Sequence, residues 1–177
     1  MSESTTNANE SSPAAGVSAS AFVPSGEQRF TWNFDHKLDG QKRVQFPANW
    51  RPPNPETKYT LVMWPHPHLQ PEREFAYILG LTPKQFDAML DKMERQSLGN
   101  RQVAALRRKI FHNSYELTID PAGRLCLPPK MAAQIGLDKE AHFAGAGSHF
   151  EIWDPATFEK CTKADDALAA EAYEKLI

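Results

Sequence analysis

Apolar and polar positions alternate in two places along the chain, and the second place repeats the first. Trp32, Phe34 and Leu38 share one alternation, and Tyr115, Leu117 and Ile119 share another. This is the period of half-buried strands. Each run leads into a turn holding one Asp and one Arg, then into a short apolar-x-apolar strand stopped by Pro. The two stretches are Asp39-Gly40-Gln41-Lys42-Arg43-Val44-Gln45-Phe46-Pro47 and Asp120-Pro121-Ala122-Gly123-Arg124-Leu125-Cys126-Leu127-Pro128. Asp, Arg and Pro all recur at an offset of 81 residues. Helix starts recur as well: Thr82-Pro83 late in one copy and Asp154-Pro155 late in the other, each an N-cap residue with Pro at the first helical position. Self-similarity on this scale marks a duplicated supersecondary unit.

The remaining segments fill in each copy. Pro47 to Arg51 allows about one helical turn, and Tyr59 to Trp64 reads as a strand. The Pro-rich stretch Pro65 to Glu72 interrupts before Phe75 to Leu79 resumes as a strand. Its counterpart in copy two is the hairpin turn Ala144 to Ser148, so copy one carries an insertion here. Thr82 and Gln85 form a capping box for a helix with Phe86, Met89, Leu90 and Met93 on its core face. Gly99-Asn100 ends that helix. A second helix, from Arg101 to about Phe111, buries Val103, Leu106 and Ile110 and collects Arg101, Arg108 and His112 on another face. In copy two, Pro129 opens a short helix with Met131 and Ile135 that Gly136 stops. Asp154 opens the last helix, whose acidic second half is expected to fray.

The expected organisation is a disordered tail over 1–28, a first repeat over 29–98 and a connecting helix over 99–113, then a second repeat over 114–163 and a helix end or tail over 164–177. The chain of 177 residues, 41% hydrophobic and 24% charged, suits one soluble domain with a real core. No apolar run approaches membrane-spanning length, and no secretory signal pattern opens the chain. Cys126 and Cys161 suggest reduced thiols rather than a disulfide framework. The net charge of −2 hides a segregation: residues 29–137 hold 16 bases and 10 acids, while both ends are acidic. A basic body with acidic ends suits a nucleic-acid binder, although many solvated surfaces share it.

A D-x-x-x-R turn can do either of two jobs. The Asp can accept backbone N–H bonds while Arg projects toward phosphate or a guanine edge, or Asp and Arg can pair and brace the turn. Gly123 suits a tight turn in copy two. Lys42 takes that place in copy one, which implies strain unless the turn shifts onto Gly40. Arg101, Arg107, Arg108 and Lys109 form a second basic cluster, read either as a possible secondary DNA face or as the wet side of a helix. His66 and His68 lack a partner in phase for a metal site. His142 and His149 could meet across their hairpin as a solvated pair. Gly145-Ala146-Gly147 lacks the context of a dinucleotide loop. No Walker loop, nucleophile elbow or triad is present, so no enzyme is expected, and no cofactor, metal, small-molecule substrate or membrane partner.

With both Asp–Arg turns, their apolar-x-apolar-Pro strands, Trp50-Arg51 and a Leu-rich helix between copies, the chain resembles the MraZ family over roughly residues 29 to 163. The resemblance implies an α+β, mainly β fold. Two AbrB-like half-units would form one pseudo-twofold swapped-hairpin β barrel with flanking helices. It further implies a bacterial transcriptional regulator, cytoplasmic and nucleoid-associated, that binds double-stranded promoter repeats ahead of division and cell-wall genes, its own among them. A ring-shaped homo-oligomer follows from the same likeness. The positions carried over as DNA-binding are Arg43 and Arg124. Lys42 departs from the glycine of the family pattern, and either adds a phosphate contact, which is the expectation, or marks a first turn that has lost the family's shape. Asp39, Asp120 and Gly123 would brace the turns. The alternative is a ring-forming scaffold of the same fold without DNA binding.

Overall fold

The computed structural model describes residues 28–95 and 101–176. The expected tail lies outside the described residues except for Gln28, and so does the expected break at Gly99-Asn100. Gln28 is anchored: its Nε2 donates to the Trp50 carbonyl and its Oε1 accepts from the Tyr59 hydroxyl at 3.0 Å.

Copy one contributes β1 (Asn33–Lys37), β2 (Arg43–Gln45), a 3-10 turn (Ala48–Trp50), β3 (Lys58–Trp64), a second 3-10 turn (Pro67–Leu69), β4 (Tyr77–Leu81) and α1 (Pro83–Glu94). After α2 (Arg101–His112), copy two contributes β5 (Ser114–Thr118), β6 (Arg124–Cys126), α3 (Pro129–Gln134), β7 (Glu140–Gly145), β8 (Phe150–Trp153) and α4 (Pro155–Glu174). Six strands form an antiparallel sheet in the order β1-β7-β8-β4-β3-β5, and β2 and β6 form a separate ribbon. The fold is α+β.

The pairing interlocks the two copies. β1 lies on the other copy's hairpin, with Asp35 opposite His142, and β5 lies on β3, with Glu116 opposite Thr60. The hairpins join through β4 and β8, with Ile78 opposite Ile152. Neither copy completes its sheet alone, which is the swapped-hairpin arrangement. The sheet's edge strands β1 and β5 each turn back through an Asp–Arg turn into the ribbon. Asp39 N donates to the Arg43 carbonyl at 3.0 Å and Asp120 N to the Arg124 carbonyl at 2.9 Å.

The main core lies between ribbon and sheet. Val44, Phe46, Leu125 and Leu127 on the ribbon side meet Tyr59, Leu61, Ile78, Phe143, Phe150 and Ile152 on the sheet side. Aromatic rings fill much of it, with Phe46 and Phe150 centroids 5.2 Å apart in an edge contact. Burial of each such side chain contributes roughly 1.5–3 kcal/mol. Successive strand residues point to opposite faces, so Val62, Leu79 and Leu81 serve a second core. There they pack against Met93 of α1 and Ile110 of α2, flanked by Phe86, Met89, Leu90 and Val103. The capping box of α1 is present, with Thr82 N donating to Gln85 Oε1 at 2.9 Å. Asp154 caps α4 by accepting from Thr157 N at 2.9 Å.

Three expected core residues stand outside it. Trp32 is 77% exposed because it takes a left-handed φ of 73° just before β1, and Phe30 fills the core in its stead. Tyr115 is exposed on the outer side of edge strand β5, and Leu106 is exposed on the flank of α2. The second half of α4, expected to fray, continues as helix to Glu174, although every described residue beyond Asp165 is exposed.

Candidate nucleic-acid interface

In each turn the Asp accepts backbone N–H bonds and also pairs with the Arg. Asp39 Oδ1 accepts from the backbone N–H groups of Gln41 and Arg43, each at 2.9 Å, and Oδ2 accepts from Arg43 Nε at 2.7 Å. Asp120 Oδ1 accepts from Arg124 N at 2.8 Å, and Oδ2 takes Arg124 Nε at 2.9 Å and Nη2 at 2.8 Å. The carboxylate therefore shapes the turn and aims the guanidinium, which stays partly exposed in each copy. The Arg43 backbone N–H, followed by its side chain, holds Asp39 below the usual carboxylate range; for Asp120 the Arg124 side chain comes first. Asp120 in turn holds the Arg124 guanidinium above its ordinary range, with a smaller contribution from Asp39 of the neighbouring turn.

The ribbon sets the two arginines on one surface. Arg43 pairs with Cys126, Val44 with Leu125 and Gln45 with Arg124. Val44 and Leu125 are fully buried. By strand alternation, Arg43, Gln45, Arg124 and Cys126 share the opposite, outward face. Arg43 and Arg124 then stand diagonally across the ribbon, a relationship that places side-chain origins about 7–8 Å apart. The turns extend the surface at both ends of the ribbon.

The copies differ at the fourth turn position. Gly123 has φ 77° and Lys42 has φ 58°, so the first turn keeps the left-handed geometry on Lys42 and does not shift onto Gly40. The two are equivalent in bonding: the Gly123 carbonyl accepts from Phe46 N and the Lys42 carbonyl from Leu127 N, both at 2.9 Å. A left-handed non-glycine costs about 1–2 kcal/mol. Lys42 offsets part of this through Nζ, which donates to the carbonyls of Leu137 at 3.1 Å and Asp138 at 3.2 Å. The ammonium expected to meet phosphate thus makes two bonds within the chain, which leaves one of its three donors.

Two residues at this surface escaped the sequence reading. Gln45 Nε2 donates to the Gly123 carbonyl at 2.9 Å and clamps the second turn. Arg51 lays its guanidinium over Gly123, where an added Cβ would come within 2.5 Å of its Cζ. Only the position of Arg51, just after Trp50, was visible beforehand.

The second basic cluster does not join this surface. α2 packs on the Val62, Leu79 and Leu81 side of the sheet, whereas the ribbon covers the other side. Arg107 pairs with Glu94 at 3.5 Å and Lys109 with Glu74 at 3.0 Å. The histidines also differ from expectation. His142 and His149 do not meet: His142 is buried, stacked on Phe158 and bonded to Asp35 at 2.7 Å, while His149 faces Glu151. His66 and His68 do gain a carboxylate, Asp165 from α4, at 3.0 and 3.9 Å. Among the described residues, no group of three or more His, Cys, Asp or Glu is arranged to hold a metal ion.

Two interlocked half-units, each presenting an arginine paired with the aspartate of its turn at one end of a shared ribbon, define a duplicated α+β protein of swapped-hairpin type. Comparison with known proteins narrows this. The family described as "MraZ protein, putative antitoxin-like" matches residues 110–176. The chain is similar to the Transcriptional regulator MraZ of Ruegeria pomeroyi, 30% identical over 145 residues covering 75% of this chain and 81% of that one. It is also similar to the protein of that name in Rhodospirillum rubrum, 31% identical over 139 residues covering 73% and 82%. A third, in Clavibacter michiganensis, is 27% identical over 141 residues covering 80% and 92%. The chain belongs to the MraZ family.

Proposed function

We propose that this chain is a DNA-binding transcriptional regulator whose Asp39–Arg43 and Asp120–Arg124 turns grip double-stranded DNA. The observation that carries the reading is the β2–β6 register, which puts Arg43 and Arg124 on one outward face with both guanidinium groups aimed by carboxylates. A permanently charged, planar donor held in this way suits phosphate oxygens and the O6/N7 edge of guanine. One bidentate contact discriminates between bases by only about 1–3 kcal/mol. Specificity therefore calls for spaced repeats read by several subunits together, and avidity supplies the affinity.

A ring-shaped homo-oligomer meets that requirement. Two unlike surfaces are available for head-to-tail closure. α2 carries Arg101, Arg107, Arg108 and Lys109 and no acidic residue, while the exposed half of α4 carries Asp166, Glu171 and Glu174 beside exposed Leu168, Tyr173 and Leu176. The targets in this reading are repeats upstream of its own gene and of division and cell-wall genes, reached in the cytoplasm at the nucleoid. The test is fluorescence anisotropy of the full chain on DNA from upstream of its gene against random duplex of equal length, at two salt concentrations. Tighter binding to the upstream DNA, weakening steeply with salt, is expected. Equal, weak affinity for both would instead favour a ring-forming scaffold without DNA binding.

A further inference from the structure

The pseudo-twofold equivalence of the two turns breaks down in their surroundings. Over the second turn lies Arg51, whose guanidinium rests on Gly123, and Gln45 clamps the turn's carbonyl from across the ribbon. The residue 81 positions on from Arg51 is Ala132, fully buried, and the counterpart of Gln45 is Cys126. The first turn has Lys42 where the second has Gly123, with its ammonium bound to the trailing carbonyls after α3. One end of the ribbon therefore displays two guanidinium groups and the other displays one.

Arg51 is exposed. Its hydrogen bond within the chain, from Nη2 to the Phe46 carbonyl, is 3.4 Å long, at the limit for such a bond. Among the described residues it has no carboxylate at ion-pair distance. The absence of a side chain at Gly123 lets the Arg51 guanidinium lie against the turn that carries Arg124, and Arg51 itself has little internal neutralisation. An exposed guanidinium without a carboxylate partner is free to take a phosphate.

We propose that Arg51 is a third DNA-contacting residue, binding backbone phosphate next to Arg124, and that the second turn is the dominant half of the interface. This rests on the DNA-binding reading above. It assigns to Gly123 a second role besides its left-handed φ, that of making room for the Arg51 guanidinium.

The test compares wild type, Arg51→Ala and Arg51→Lys on upstream and random duplexes across a salt series, with melting temperatures measured in parallel. A phosphate contact carries no base information, so Arg51→Ala is expected to weaken both duplexes by a similar factor, about tenfold. The slope of log affinity against log salt should fall by about one per engaged subunit. Arg51→Lys should restore most of the slope, and melting should not move. An unchanged slope in Arg51→Ala overturns the inference while leaving the DNA-binding reading in place. A loss of affinity that accompanies a lowered melting temperature and is not restored by Lys also overturns it, since Arg51 would then only brace the turn. Absence of salt-dependent binding in the wild type would overturn the inference together with the reading beneath it.

Discussion

Val44 lies directly across the ribbon from Leu125, its own counterpart in the duplicated unit, and both are fully buried. This pair sits on the pseudo-twofold axis. The arginine preceding each of them is therefore carried to the same outward face from opposite directions, and the spacing of Arg43 and Arg124 is set by one buried contact.

Leu125→Ala should accordingly act on both turns at once. Removing a large apolar side chain from a packed core costs about 2–5 kcal/mol. The expected result in denaturant unfolding is a lower midpoint with an unchanged slope. DNA affinity should fall further than in a variant of equal instability made in the second core, such as Met93→Ala, because only Leu125 supports the ribbon.

Cys126 is exposed on the outward face beside both arginines, and Cys161 is buried. A maleimide should modify Cys126 quickly and Cys161 only after unfolding. Saturating upstream DNA should slow modification of Cys126 several-fold, whereas a duplex added at high salt should not. Mass spectrometry of the labelled peptides reads both sites.

Lys42→Gly removes left-handed strain and also removes two hydrogen bonds to carbonyls, effects of similar size and opposite sign. Stability should change by less than about 1 kcal/mol by denaturant unfolding. The salt slope of DNA binding should stay at the wild-type value, because the ammonium is engaged within the chain. A reduced slope would mean that the Lys42 ammonium meets phosphate.

Arginine contacts hold Asp39 and Asp120 below the ordinary carboxylate pKa of about 3.9. A depressed folded pKa stabilises the native state above the unfolded pKa, and the benefit is lost as pH falls through the folded value. Asp120→Asn cannot titrate and lacks this contribution at every pH. The gap in melting temperature between wild type and Asp120→Asn should be full at neutral pH and narrow progressively below about pH 4.

What could be read from the chain in advance was the part governed by local chemistry. The Asp–Arg turns, the Pro stops, the capping residues at Thr82 and Asp154, and the insertion between β3 and β4 all follow from residue type and short-range period. The resemblance supplied the interlocking of the copies. Lost to periodicity were contacts between residues far apart in sequence: Lys42 with Leu137 at a separation of 95, His66 with Asp165 at 99, and Asp35 with His142 at 107. Arg51 was missed for the same reason, since its partner Gly123 belongs to the other copy. Trp32 was misplaced because a left-handed residue ahead of β1 breaks the alternation that its spacing implied.

The most direct test of the DNA-binding account is a titration of upstream DNA by wild type, Arg43→Ala, Arg124→Ala and the double variant at two salt concentrations, with light scattering to verify unchanged assembly. The account predicts that each single variant weakens binding and flattens its salt dependence, Arg124→Ala more than Arg43→Ala. The double variant should lose the preference for upstream over random duplex. Wild-type affinity and salt slope in the double variant would contradict it.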